Sequence, residues 1–472
     1  MKKLITLATL LQLGTASASV VAIMDSGTDI NHKDLAPKAW TNKNEVVGSK
    51  TDLDGSGLPG DVHGWDFTTN SGNVFDGKYN NLLTPDVLKF YVLYAKYETK
   101  TITQAEFEWL KATTQDKVLM NKVNFVGGYA HGTHVGGVAA LNNSKAEIMS
   151  LKILPTVYQE LAPAAPADKA NGKEPVQLEL DFGDGNVNVA PAMSVEDFKK
   201  AIIGEATQQI QKMVPMHGYL KFHKVDVVNQ SFGIGFTAAV DFISAAFIEE
   251  VKREPTQKEL TDLVVAYFGT LLKVGPQMFA AAPDTLFIIA AGNDASNNDQ
   301  FPDYPSSIQA PNKIVVAATL GYSEIADFSN FGATRVDVAA PGVAIQSTAP
   351  ANNYVFMSGT SQAAPFVTNA IAQAKDINPA LSASDLKSII LKTVDVKAWL
   401  KGKVSTSGIV NKARVNRAAE LSKTMNVEVA IQKAKAEIAD VVVPKTFAKR
   451  LPGMDLKFRP LRPSLLVKLP SL

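Results

Sequence analysis

Five short apolar runs, at residues 20–24, 148–154, 225–229, 286–291 and 314–318, have the length of buried strands. Their near-continuous apolarity suits strands covered on both faces, as in a parallel sheet. Helices are expected over 131–141, over about 195–214 and over about 361–377. Ser382-Ala383-Ser384-Asp385 can cap another that runs to about Thr393. Strands alternating with helices predict a three-layer α/β/α fold with a mainly parallel central sheet. Ligands of such sheets bind beyond the carboxyl ends of the strands, so polar residues that end a strand or open a helix are the ones to inspect.

Three such residues carry complementary chemistry. Asp25, in Met24-Asp25-Ser26-Gly27, ends the first run. His131 opens the segment His131-Gly132-Thr133-His134-Val135-Gly136-Gly137, and Ser361 stands at the mouth of a helix in Gly359-Thr360-Ser361-Gln362-Ala363-Ala364-Pro365. A serine hydroxyl is almost wholly protonated near neutral pH, so its attack on a carbonyl needs a base. An imidazole can take that proton and return it to the leaving group. A carboxylate on the other ring nitrogen fixes the tautomer and stabilises the imidazolium. Each motif alone also has a plainer use: a Gly-Thr-Ser serine caps helices, and an Asp after a strand ends it in a turn. His134 is read as structural.

Five blocks in this order resemble the subtilisin-like serine proteases, the subtilases. Residues 21–27 with Asn31-His32-Lys33-Asp34-Leu35 resemble the family's aspartate block, 131–141 its histidine block, and 358–367 its serine block, with Gln362 where methionine is usual. Phe287-Ile288-Ile289-Ala290-Ala291-Gly292-Asn293 is similar to the segment bearing the oxyanion asparagine, and Val338-Ala339-Ala340-Pro341-Gly342-Val343 to the one leading to the serine. The resemblance implies a subtilisin-like fold. It implies Ser361 as nucleophile, His131 as general base and acid, Asp25 as orienting carboxylate, and Asn293 as oxyanion donor beside the Ser361 N–H. Residues 228–233 resemble the strand that pairs with extended substrate. Ser231, Phe232 and Gly233 are therefore expected on one wall of the cleft, and Ala290, Ala291 and Gly292 on another. The implied activity is that of a serine endopeptidase acting through an acyl-enzyme on Ser361. A catalytically silent binding or scaffold protein of the same fold, and a transacylating peptide ligase, are the alternatives.

The spacing is long for a minimal subtilase. The expected organisation is a signal peptide at 1–18, a peptidase domain at 19–424 and a C-terminal extension at 425–472. Helical insertions are placed near 78–122 and 236–283. An Ala-, Pro- and Gly-rich insertion at 156–193 has the length of a lid or binding edge. The first insertion reads as a helical pair. Asp52, Asp54 and Asp61, among turn glycines, resemble an acidic loop of many subtilases and are candidate ligands of a structural calcium. Asp181, Asp184 and Asn186 form a weaker candidate. No cofactor is required for the chemistry.

Composition narrows the partners. With 47 basic and 46 acidic residues the net charge is +1, so no global field draws the chain to nucleic acid or an anionic membrane. The absence of cysteine excludes disulfides and thiolate metal sites. Met1-Lys2-Lys3, the apolar stretch 4–13 and Ala16-Ser17-Ala18 have the outline of a secretory signal. The expected location is therefore secreted or periplasmic, with no membrane span after cleavage. Cleavage after Ala18 would start the chain at Ser19 and leave no room for an N-terminal prodomain. Either the chain folds without a prodomain's assistance, or the C-terminal extension, the insertions or a separate inhibitor or folding partner substitutes; the expected substrates are peptides or proteins.

Overall fold

The computed structural model describes residues 18–160 and 192–442. Its strands are β1 (Val20–Asp25), β2 (Gly64–Asp66), β3 (Glu147–Lys152), β4 (Val227–Gln230), β5 (Leu286–Ala290), β6 (Lys313–Leu320), β7 (Glu324–Ile325), β8 (Val338–Pro341), β9 (Ile345–Ala349), β10 (Asn353–Met357), β11 (Asp395–Val396) and β12 (Gly408–Ile409). One sheet runs β11-β12-β8-β6-β5-β4-β1-β3-β2, with β7 beside β6; its pairs are parallel except β11 with β12 and β7 with β6. The strands β9 and β10 form a separate antiparallel hairpin.

Side-chain alternation divides each apolar strand between two cores. Val21 and Ile23 of β1, Leu286 and Ile288 of β5, and Ile314 and Val316 of β6 enter one cluster. Ala22 and Met24, Phe287 and Ile289, and Val315 and Ala317 enter the other. Burial of both faces explains the unbroken apolar runs, and the three-layer fold follows.

The helices α1 (Pro85–Glu98), α2 (Gln104–Thr113) and α3 (Lys117–Tyr129) build a third apolar cluster with the hairpin residues Val355 and Met357. The expected helical pair is thus a trio: Asp116 caps α3 by accepting from the N–H groups of Val118 and Leu119, a signal that the paired reading passed over. Next come α4 (His131–Ala140) and α5 (Val195–Phe222). Expected to stop before Pro215, α5 instead runs through it to Phe222. Met213, Met216, Tyr219 and Leu220 are buried on both sides of the proline, so packing overrides the lost N–H.

The segment 236–283 does not stand apart. Its helices α6 (Phe236–Val251), α7 (Gln257–Val274) and α8 (Pro276–Ala280) put Ile243, Phe247, Leu263, Phe268 and Phe279 into the core on one sheet face. On the other face lie α4, α9 (Thr360–Ile377), α10 (Ala383–Lys392), α11 (Lys412–Leu421) and α12 (Val427–Glu437). Ser382 and Asp385 close a reciprocal capping box on α10. The candidate signal peptide up to residue 17, most of the loop at 156–193, the cluster Asp181, Asp184 and Asn186, and the tail from residue 443 lie outside the described residues.

His217, on α5 beyond Pro215, donates through Nδ1 to the Met278 carbonyl (2.6 Å) and accepts at Nε2 from the Gln230 amide (2.9 Å). Burial lowers its pKa to about 4. An unfolded histidine binds its proton at a pH of about 6.5, so the contribution to stability is complete above that value and is lost as pH falls towards 4. Denaturant titrations from pH 6.5 to 5 should show a slope averaging about 1 kcal/mol per pH unit from this residue, absent in His217→Gln.

Candidate active site

The three expected polar residues stand at strand ends and helix starts on the carboxyl side of the sheet. Asp25 is the last residue of β1, His131 the first of α4 and Ser361 the second of α9. Asp25 and His131 are both buried, and His131 Nδ1 donates to Asp25 Oδ1 over 2.8 Å. That oxygen also accepts from the Ser26 N–H at 2.7 Å. The bond leaves the lone pair of His131 Nε2 without a partner among the described residues. This is the tautomer a proton acceptor needs.

A glycine makes the approach feasible. A Cβ on Gly132 would collide with the carbonyl oxygen of Gly27, which follows Asp25 by two residues. The Gly132 N–H donates to Ser26 Oγ (3.1 Å), which ties the first turn of α4 to the end of β1.

Ser361 is joined to the neighbouring strand by reciprocal bonds. Its Oγ donates to the Ser231 carbonyl (3.2 Å), and Ser231 Oγ donates to the Ser361 carbonyl (3.0 Å). Being near the start of α9, the Ser361 N–H has no intrahelical acceptor. Asn293 is gripped from one side: its Oδ1 accepts from the N–H (2.9 Å) and Oγ1 (3.0 Å) of Thr360. Its Nδ2 has no partner among the described residues. Two donors of N–H type thus flank Ser361 where negative charge would develop on an attacked carbonyl.

A pocket opens beside them. Ser231, Phe232, Gly233, Ala290 and Gly292 line it, as expected, together with Gly235, Asn293, Asp294, Asp303, Thr360 and Ser361. Ala291 does not. Strand alternation turns it to the opposite face, where it is fully buried in the other core and its carbonyl accepts from Asn298 (2.8 Å). Gly292, at φ +108°, bends the chain between Ala291 and Asn293 in a conformation that favours glycine. The sequence reading missed Thr360, Gly132, Asp294 and Asp303. Asp294, directly after Asn293, was the one with a usable signal.

His134 lies one turn beyond His131 on α4. Its Nε2 donates to the Ile345 carbonyl (2.9 Å), and burial lowers its pKa to about 3. It fastens α4 to β9.

The candidate calcium residues do not converge as a trio. Asp54 groups with Asp61 and His223, and separately with Glu45 and Asp52. Every carboxylate oxygen involved already accepts a hydrogen bond. Asp52 takes the Gly55 and Gly57 N–H groups, Asp54 takes Ser56 N–H and Asn42, and Asp61 takes Asn42, Ser56, Tyr219 and His223. Glu45 takes the N–H groups of Leu53, Asp54 and Gly60. The loop thus closes on its own donors, with Asp54 shared between the two groups.

In comparison with known proteins, the sequence model of the Subtilase family matches residues 16–421. The chain belongs to the subtilase family. It is 36% identical over 114 residues to alkaline elastase YaB of Bacillus sp. (strain YaB), which covers 24% of this chain and 29% of that protein. To subtilisin-like protease 1 of Plasmodium berghei (strain Anka) it is 22% identical over 397 residues, 83% of this chain and 48% of that protein. The chain therefore spans less than half the length of these subtilase relatives. Among solved structures, the A-subunit of the AB5 toxin from E. coli aligns at 16% identity and a TM-score of 0.41, over 89% of this chain and 93% of that one.

The glycine contact is testable. Gly132→Ala drives a Cβ against a backbone carbonyl that cannot rotate away, and should cost about 1–3 kcal/mol in urea denaturation. Gly204→Ala in α5, where a Cβ meets nothing within 4 Å, should instead gain about 0.5–1 kcal/mol.

Proposed function

We propose that this subtilase is a serine endopeptidase that hydrolyses peptide bonds through an acyl-enzyme on Ser361. The observation that carries the reading is the buried Asp25–His131 pair, with its unpartnered Nε2, at the same strand ends as Ser361 and the Thr360-held Asn293. The protease names of its family relatives support it.

In the proposed reaction Ser361 Oγ turns from the Ser231 carbonyl to His131 Nε2 and gives up its proton as the C–O bond to the substrate carbonyl forms. The carbonyl π electrons move onto oxygen, which accepts from Asn293 Nδ2 and the Ser361 N–H. Collapse expels the amine, which takes the proton from His131, and leaves an acyl ester on Ser361. Water then attacks the ester, giving a proton to His131, and the acid departs as the proton returns to Ser361 Oγ. Asp25 keeps Nδ1–H oriented and stabilises the imidazolium throughout.

A fluorophosphonate probe should label the wild-type protein and leave Ser361→Ala unlabelled; a folded wild type that resists labelling points to a silent scaffold. Asn293→Ala should lower kcat by about 10²–10³. Mass spectrometry of a peptide mixture separates hydrolysis from ligation.

We further propose export with cleavage after Ala18. The Ser19 N–H donates to Asp376 Oδ1 (2.8 Å), and Asp376 Oδ2 accepts from Asn143 (2.8 Å), all buried. Cleavage would turn that amide into an ammonium already facing a carboxylate. N-terminal sequencing of exported protein should begin at Ser19. Asp376→Asn should destabilise it by about 1–3 kcal/mol in thermal or chemical unfolding.

A further inference from the structure

The pocket beside Ser361 contains two carboxylates that the chemistry above does not use. Ser361 and Asn293 stand on its lining, so the side chain it receives belongs to the residue whose carbonyl is attacked.

Asp303 is 4% exposed, and Ser306 Oγ donates to its Oδ1 over 2.9 Å. No lysine, arginine or histidine among the described residues forms an ion pair with Asp303 or Asp294. Asp294, at the exposed rim, is anchored by its N–H on Asn330 Oδ1 (2.8 Å), while its carboxylate accepts from no described residue. The two acids approach one spot: a Cβ built on Gly235 would collide with Asp294 Oδ2 and lie 3.6 Å from Asp303 Oδ2. A Cβ on Gly292 would come within 2.8 Å of Asp303 Oδ2. The glycines at 233, 235 and 292 thus leave the carboxylates uncovered.

From this juxtaposition, and resting on the endopeptidase reading, we infer that the pocket selects a cationic side chain, so that the enzyme cleaves after arginine or lysine. Burial, and then the neighbouring Asp294, raise Asp303 well above the usual carboxylate range. Two acids drawn together without a cation are stabilised by one that enters between them.

The test has one arm that needs no catalysis. Benzamidine, an aryl amidinium, should bind Ser361→Ala protein in calorimetry, whereas the neutral isostere benzamide should not. Adding Asp303→Asn, which keeps the side-chain shape and the Ser306 contact, should weaken benzamidine at least about 30-fold. Asp294→Asn at the exposed rim should weaken it about 5–10-fold and serves should the buried variant fail to fold. In the second arm, peptides differing only before the scissile bond should be cleaved in the order Arg and Lys well above Phe and Leu. The ratio of kcat/KM for Arg over Phe should fall at least about 100-fold in Asp303→Asn. Wild-type enzyme that labels with fluorophosphonate yet prefers Phe or Leu overturns the inference and leaves the endopeptidase reading standing. Benzamidine binding without peptide cleavage supports the pocket and overturns that reading, and equal binding of benzamidine and benzamide overturns the pocket assignment.

Discussion

The approach of the first turn of α4 to the end of β1 is the contact on which the cleft depends. Asp25 is placed by the sheet, since β1 is held in register between β3 and β4. His131 is placed by a helix. The two meet at 2.8 Å because Gly132 adds no atom between helix and strand. A buried carboxylate without a donor would be costly, and the same contact that orients the imidazole gives Asp25 Oδ1 a donor. His134 then pins α4 to β9, which keeps the helix from drawing back.

The second half of the cleft is assembled on α9 by a different device. The reciprocal Ser231–Ser361 bonds and the Thr360 grip on Asn293 tie the helix start to the ends of β4 and β5. Side chains from three chain segments are thereby held through backbone partners, which move less than side chains do. The Ser361 hydroxyl rests on the Ser231 carbonyl within this frame.

The apolar runs foretold the central strands because both faces of the sheet are covered, and that pattern is visible residue by residue. The weakly apolar β2, β11 and β12 carried no such mark, because two- and three-residue strands are defined by their neighbours. Pro215 misled because a local rule about proline met a helix buried on both sides of it. The three proposed catalytic residues were legible as residues that end strands and open helices, and only their order and the family blocks suggested one site. Ala291 was misplaced by counting along the chain without applying strand alternation. Asp303 was out of reach, since it comes from a loop whose return to the pocket is a tertiary fact. The hydrogen bonds that Asp52, Asp54 and Asp61 accept within the loop could not be read from the spacing of their carboxylates.

The sheet order also bears on how such a chain avoids its own kind. An open sheet of ten strands ends in two unpaired borders, each able to recruit a strand from another molecule. Here one border is β2, three residues long, and the other is β11, two residues long. Strands that short offer few hydrogen bonds to a stranger. Arg414 reinforces the second border by donating to Asp395 of β11, to Asp440 and to the Ile438 carbonyl just after α12. A large parallel sheet forms late in folding and stays vulnerable meanwhile. Blunt borders fastened by a terminal helix guard it against intermolecular strand addition once the sheet has closed.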